Sequence, residues 1–176
     1  MGAPAALNFG TSTDFTISFW INYAQRFSDP SVIGNKDWDS GGNQGWVFAP
    51  SGSGLKWNIA DADRVRRDSP GLGSLENGQW HHFATTFDRS GLAITYINGV
   101  RVNSVDISGM TKSVDTPAGL SVNIGEDGTG SYNNVETGSP GFPDAKIDDL
   151  GIWRRALTPE EVQAVAAAGL QGKDLT

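Results

Sequence analysis

Residues 35 to 46 read NKDWDSGGNQGW, which gathers two aspartates, two asparagines, a lysine and two tryptophans into a stretch opened by three glycines. A sugar ring presents polar edges and an apolar C–H face, so a site for it combines an aromatic plate with forked hydrogen-bond donors and acceptors. Trp38, in the glycine-containing part of the stretch, is the candidate plate. Asn35, Asp37, Asn43, Asn58, Arg64, Asp127 and Tyr132 are the candidates for the polar ring around it, from three segments expected on neighbouring strands or loops. Arginine also suits a carboxylate, sulfate or phosphate on a charged ligand. The competing reading is a decorated turn between two strands.

Catalysis has less to work with. Asp37 and Asp39 share one side of an extended segment, and they read more simply as solvated loop carboxylates than as an acid/base pair. The only histidines are His81 and His82, both in QWHHFATTFD. Alternation places His81 with Phe83 and Phe87 and turns His82 to the other face, within reach of a ligand there. In AKIDDLGIW, Asp148 shares parity with Leu150 and Ile152, so strict alternation aims its carboxylate at the core. A buried carboxylate needs a partner, whether a cation, backbone amides, or Lys146 or Arg154. Asp61, Asp63 and Asp68 interleave with Arg64, Arg66 and Arg67 and read as a solvated charge network. Trp20, Trp46, Trp57, Trp80 and Trp153 lie in strand-like segments and read as packing residues.

The elements that must position these groups are mostly strands. FTISFWI alternates with Phe15, Ile17, Phe19 and Ile21 on one side and Thr16, Ser18 and Trp20 on the other. Similar runs follow at SVIGNK, GWVFAP, GLKWNIA, QWHHFATTFD, LAITYINGVRVNSV, LSVNIG and AKIDDLGIWRR, separated by Gly, Asp, Asn and Pro clusters. Asn98-Gly99 marks a hairpin, because a type I′ turn needs positive φ at both central positions. One segment reads as helix: Thr158 caps, Pro159 takes the first position and Glu161 completes a capping box before VQAVAAAG. The expectation is an all-β antiparallel sandwich of jelly-roll type with a short C-terminal helix, over residues 1-176 as one domain.

Composition narrows the partners. A net charge of -7, with the one basic cluster interleaved with acids, argues against nucleic acid, which needs a clustered basic surface. No apolar run approaches the roughly 20 residues of a membrane-spanning helix, so membrane insertion is not expected. With no cysteine there is neither a disulfide framework nor a thiolate metal site. The start MGAPAALNFG lacks signal-peptide patterning, and the chain reads as a module excised from a larger protein.

The blocks FTISFWI, VIGNKDWDSGG, GQWHHFATTFDRSGLAITYINGVRV, LSVNIGEDG and AKIDDLGIWRRALTPEEVQAV resemble the laminin G-like and pentraxin-like jelly rolls of the concanavalin A-like lectin and glucanase superfamily, from about Leu7 to Leu170. The resemblance implies two stacked antiparallel sheets with a concave face, an extracellular, periplasmic or cell-surface location, and often a calcium ion. It places that calcium on Asp148 with backbone carbonyls around Asn8 and Gly10. From the pentraxin side it implies a ligand-bridging metal at Glu126 and Asp127 with Asp29. The superfamily's glucanases use an E-x-D-x-x-E strand that is missing here. The expected function is a non-catalytic, calcium-stabilised carbohydrate-binding module that binds a glycan or polysaccharide and accompanies a secreted enzyme or adhesin. The alternative is a structural or interaction domain that only packs against the other domains of its parent enzyme.

Overall fold

The structure is a computed structural model that describes residues 1–2, 4–25, 30–117, 120–130 and 144–173. Among the described residues ten strands, β1 (Phe15–Asn22), β2 (Ile33–Gly34), β3 (Gly45–Ser51), β4 (Gly54–Ala60), β5 (Arg66–Asp68), β6 (His81–Phe87), β7 (Leu92–Ile97), β8 (Val100–Asp106), β9 (Asn123–Ile124) and β10 (Lys146–Trp153), precede an α-helix, α1 (Pro159–Leu170). They form two antiparallel five-stranded sheets, ordered β10-β1-β6-β7-β8 and β5-β4-β3-β2-β9. The result is the expected sandwich with a C-terminal helix.

Alternation builds the core between the sheets. Phe15, Ile17, Phe19 and Ile21 of β1 meet Phe83 and Phe87 of β6 from the same sheet, and Trp46, Phe48, Leu55, Trp57 and Ile59 from the other. Phe9, Phe15 and Phe87 stack in series with centroids 4.0 and 4.4 Å apart. The Asn98-Gly99 turn takes φ 52° and 78°, as a type I′ hairpin requires.

The second face of β1 is not solvated. Helix α1 lies over it, and Leu157 and Val162 pack on Ala84 and Tyr96. The helix starts as its sequence dictates: Thr158 Oγ1 accepts from Glu161 N (3.3 Å) and Glu161 Oε2 accepts from Thr158 N (2.9 Å). Thr16 Oγ1 pins the lead-in by accepting from Leu157 N at 3.0 Å and donating to Arg155 O at 2.9 Å.

One irregularity changes a site residue. The β1–β10 register shifts between Ser18 and Trp20, so β10 carries one residue more than its partner, and Asp149 sits at φ 47°. A bulge reverses side-chain parity. Ile147, Leu150 and Ile152 therefore all pack toward the core, and Asp148 is turned outward and exposed. The inward Asp148 expected from strict alternation is corrected by that single extra residue.

Candidate functional site: the loop over the second sheet

The loop from Asn35 to Gln44 closes back over the outer face of the second sheet. Its entry is held by Asn35, whose Oδ1 accepts from Trp46 N at 2.8 Å. Trp38 packs on Val47 and Ala49, the outward residues of β3, and is 6% exposed. The open stacking plate expected at Trp38 is thus corrected: the indole covers the sheet. Its ring lies under two amines, Lys56 Nζ at 5.1 Å and Lys36 Nζ at 5.8 Å from the centroid.

Lys36 is buried completely beneath the loop. Its Nζ donates to Gly41 O at 2.9 Å and to Asn58 Oδ1. Asn58 Nδ2 in turn donates to Asp68 Oδ1 at 2.9 Å, and Asp68 takes both Arg66 Nε and Nη2, at 2.6 and 2.8 Å. Burial pushes the Lys36 amine down to about 7, with the nearby Arg66 charge acting in the same direction and Asp68 and Asp37 opposing it. A Cβ at Gly41 would overlap the Arg66 guanidinium, and one at Gly42 would lie 3.5 Å from Arg64 Nη2. Gly41 thus lets Arg66 close on the loop, a Cβ at Gly42 would meet Arg64 only in ordinary contact, and Asn58 serves as a link in the network.

Asp127 ties the loop down from far along the chain. It is buried; Oδ2 accepts from Trp38 N at 2.9 Å, and Oδ1 accepts from Thr129 N and Oγ1 at 2.9 and 2.6 Å. Gly128 N adds a bond to Lys36 O at 2.8 Å. Asp127 is therefore a strap, and both the ligand-facing and the metal-bridging expectations for it are corrected, because its oxygens are occupied by backbone and hydroxyl donors. Glu126, half-buried, stands beside Gly130. Asp29 and Tyr132 lie outside the described residues.

What the loop leaves open is a cleft of about 290 Å³ lined by Asp37, Asn43, Gln44, Pro117, Leu120 and Thr129. Asn43 Nδ2 donates to Asp37 O at 3.1 Å, Asp37 Oδ1 accepts from Asp39 N at 3.0 Å, and Gln44 Nε2 donates to Ser113 O at 3.0 Å. Among the described residues Asn43 Oδ1, Asp37 Oδ2 and Gln44 Oε1 accept no hydrogen bond, so each anchored side chain keeps a second polar atom open. Of the sequence candidates, the structure brings Asp37 and Asn43 together here. Arg64, at φ 62°, stays exposed beside the glycines.

Asn8, Gly10 and Asp148, the described residues expected to share a calcium ion, are engaged separately. The Ala6 and Asn8 carbonyls accept from Arg154 Nη1 at 2.8 and 2.5 Å, and Gly10 O accepts from Arg89 Nη1 at 3.2 Å. Guanidinium groups thus take the oxygens a cation would need, while Asp115 Oδ1 accepts from Phe9 N and Gly10 N at 2.6 and 2.9 Å. Asp148 is exposed on β10, and among the described residues no three acidic or histidine side chains stand close enough to hold a metal ion.

His82 lies under α1, fully buried, with Nε2 2.7 Å from Ser18 Oγ and Nδ1 without a partner among the described residues. Burial lowers it to about 4. Among the described residues no carboxylate hydrogen-bonds the ring, so the third member of a nucleophilic triad does not meet this pair there. Asp61 is also other than expected: its Oδ1 organises a turn through Asp63 N and Val65 N at 3.1 and 3.0 Å, and among the described residues Asp68 alone of the three pairs with an arginine.

A family profile described as the concanavalin A-like lectin/glucanases superfamily matches residues 3–163. The chain belongs to that superfamily. The chain is 24% identical over 177 residues to Paraclostridial mosquitocidal protein 1 of Paraclostridium bifermentans, covering 90% of this chain and 12% of that protein. The crystal structure of that protein's binding domain superposes with a TM-score of 0.75 at 22% identity, over 96% of this chain and 40% of the other. Domain 4 of AbnA, an extracellular arabinanase from Geobacillus stearothermophilus solved in complex with arabinotriose, superposes with a TM-score of 0.64 at 26% identity, over 89% of this chain and 68% of that one. Among the described residues no helix is long and apolar enough to cross a membrane.

Proposed function

We propose that this superfamily member is a non-catalytic glycan-binding module of a larger secreted protein, and that the Asp37–Asn43 cleft takes a sugar unit. The carrying observation is a cleft of about 290 Å³ whose polar atoms stand on a loop held from below by Lys36 and from the side by Asp127. A loop immobilised before binding loses little conformational entropy when the ligand arrives, which favours affinity for a small polar ligand. The volume lies at the small end of ligand sites, as one ring of an oligosaccharide requires. The arabinotriose complex of the similar arabinanase domain supports sugar as the ligand class.

Recognition on this reading is by hydrogen bonds from Asp37, Asn43, Gln44 and Thr129, with Leu120 and Pro117 meeting the C–H face. The test is a glycan array, followed by calorimetric titration of arabinotriose and the best array hit into the wild type and an Asp37→Ala/Asn43→Ala variant. Binding that falls by about tenfold or more in the variant, at unchanged melting temperature, supports the assignment. An array without hits, or equal affinity in both proteins, overturns it.

A further inference from the structure

The Asp37–Asn43 cleft has a sense of direction in its hydrogen bonding. Asn43 Nδ2 donates to Asp37 O at 3.1 Å, and Gln44 Nε2 donates to Ser113 O at 3.0 Å. A backbone carbonyl can only accept, so each contact fixes which end of the amide is nitrogen and leaves the oxygen as the end that is not held. Thr129 Oγ1 gives its one proton to Asp127 Oδ1 at 2.6 Å. Asp37 Oδ1 accepts from Asp39 N at 3.0 Å, and a carboxylate has acceptor capacity alone.

The polar lining therefore meets a ligand chiefly as acceptors: Asp37 Oδ2, Asn43 Oδ1 and Gln44 Oε1. No lysine or arginine is among the described residues that line the cleft. The cations close by are committed or set aside. Lys36 is buried beneath the loop and donates to Gly41 O and Asn58 Oδ1, Arg66 holds Asp68 through two nitrogens, and Arg64 stands beside Gly42 outside the lining. Each amide keeps one further N–H, which serves a hydroxyl oxygen as it would an anion. The Asp37 carboxylate sets the sign of the charge a ligand meets.

We infer that this cleft selects a neutral, hydroxyl-rich sugar and turns away sugars that carry a carboxylate or a sulfate, with Asp37 as the residue that sets the choice. The inference rests on the glycan reading and names the ligand class of that same site. A sugar hydroxyl both donates and accepts, so adjacent hydroxyls can give their protons to the three side-chain oxygens and still take the spare amide N–H groups. A uronate or sulfate oxygen has no proton to give. Placed against Asp37 it would lose its water without gaining a donor and would face a like charge. The arginine fork that suits such anions is missing from this lining, so the charged ligand that Arg64 suggested in the sequence is not the one this cleft fits.

The test uses an array of neutral oligosaccharides, each paired with its counterpart in which the primary hydroxyls are oxidised to carboxylates. The best-bound pair is then titrated by calorimetry into the wild type and Asp37→Asn. The expected result is binding of the neutral member at least about tenfold tighter in the wild type. Asp37→Asn keeps the shape and an acceptor oxygen but removes the charge, and it should narrow that gap to about threefold or less. Asp37 is half-buried, and an unchanged melting temperature checks the fold of the variant. Oxidised members bound as tightly as their neutral partners, or a gap that Asp37→Asn leaves unchanged, overturn this inference while the glycan reading stands. An array on which neither kind binds removes both together.

Discussion

The two outer faces of this sandwich are both covered, but by opposite chemistry. Over the first sheet lies a helix whose Val162, with Leu157 from its lead-in, packs on Ala84 and Tyr96. Over the second lies a loop whose Trp38 is held by a buried amine, an amide and a carboxylate strap. Each cover buries one base, His82 under the helix and Lys36 under the loop, and each base is pushed toward its neutral form by burial. The difference shows what a cover is for. An apolar lid excludes water; a polar lid can present hydrogen-bonding atoms along its own outer edge, and the Asp37–Asn43 cleft is there.

The largest expected break in that comparison is Trp38→Ala. Removing a buried indole costs about 3 to 5 kcal/mol in denaturant unfolding. Because the residue covers one lid only, hydrogen exchange should quicken in residues 35–44 and stay slow in α1; equal quickening in both would show that the lids are not independent. Next is Lys36, with a folded value of about 7 against an ordinary value of 10.5. The unfolded chain binds the extra proton between these values, so stability rises with pH from about 7 to 10.5, by about 3 kcal/mol after allowance for relaxation. Lys36→Met should flatten that rise in urea titrations, and an unchanged slope would remove the buried amine from the account.

His82 gives a smaller arm in a separate window. Its folded value of about 4 lies below the ordinary 6.5, so stability is lost as pH falls from 6.5 toward 4, by about 2 kcal/mol. His82→Gln should reduce this acid loss without touching the alkaline arm, measured by the same titrations. The smallest effect on stability belongs to Asn43→Ala, within about 0.5 kcal/mol for a surface side chain. Its expected consequence is confined to glycan affinity, which separates the binding edge of the polar lid from the buried atoms that hold it down.

Legibility differs between the fold and the site for a physical reason. The strand alternation at 15–21, the Asn98-Gly99 turn and the Thr158–Glu161 capping box each rest on interactions within a few residues, and each stands in the structure as the sequence implies. The sites depend on quantities the local pattern does not carry. Asp148 turned outward because one extra residue in β10 reversed parity, and no composition rule marks the Asp149 bulge. Trp38 looked open in a glycine-rich stretch, but its burial depends on Asp127, 89 positions away, and on the outward side chains of β3. Lys36 carried no signal of burial at all, since a lysine beside glycines ordinarily reads as solvated.

The sequence by itself determined a two-sheet antiparallel sandwich with a capped helix after its last strand, because periodicity and turn chemistry act over a few residues. Only the tertiary structure decided which tryptophan is a lid and which is an exposed face. That depends on which remote backbone donors and carboxylates meet above each sheet, and here they bury Trp38 and leave Trp80 in the open.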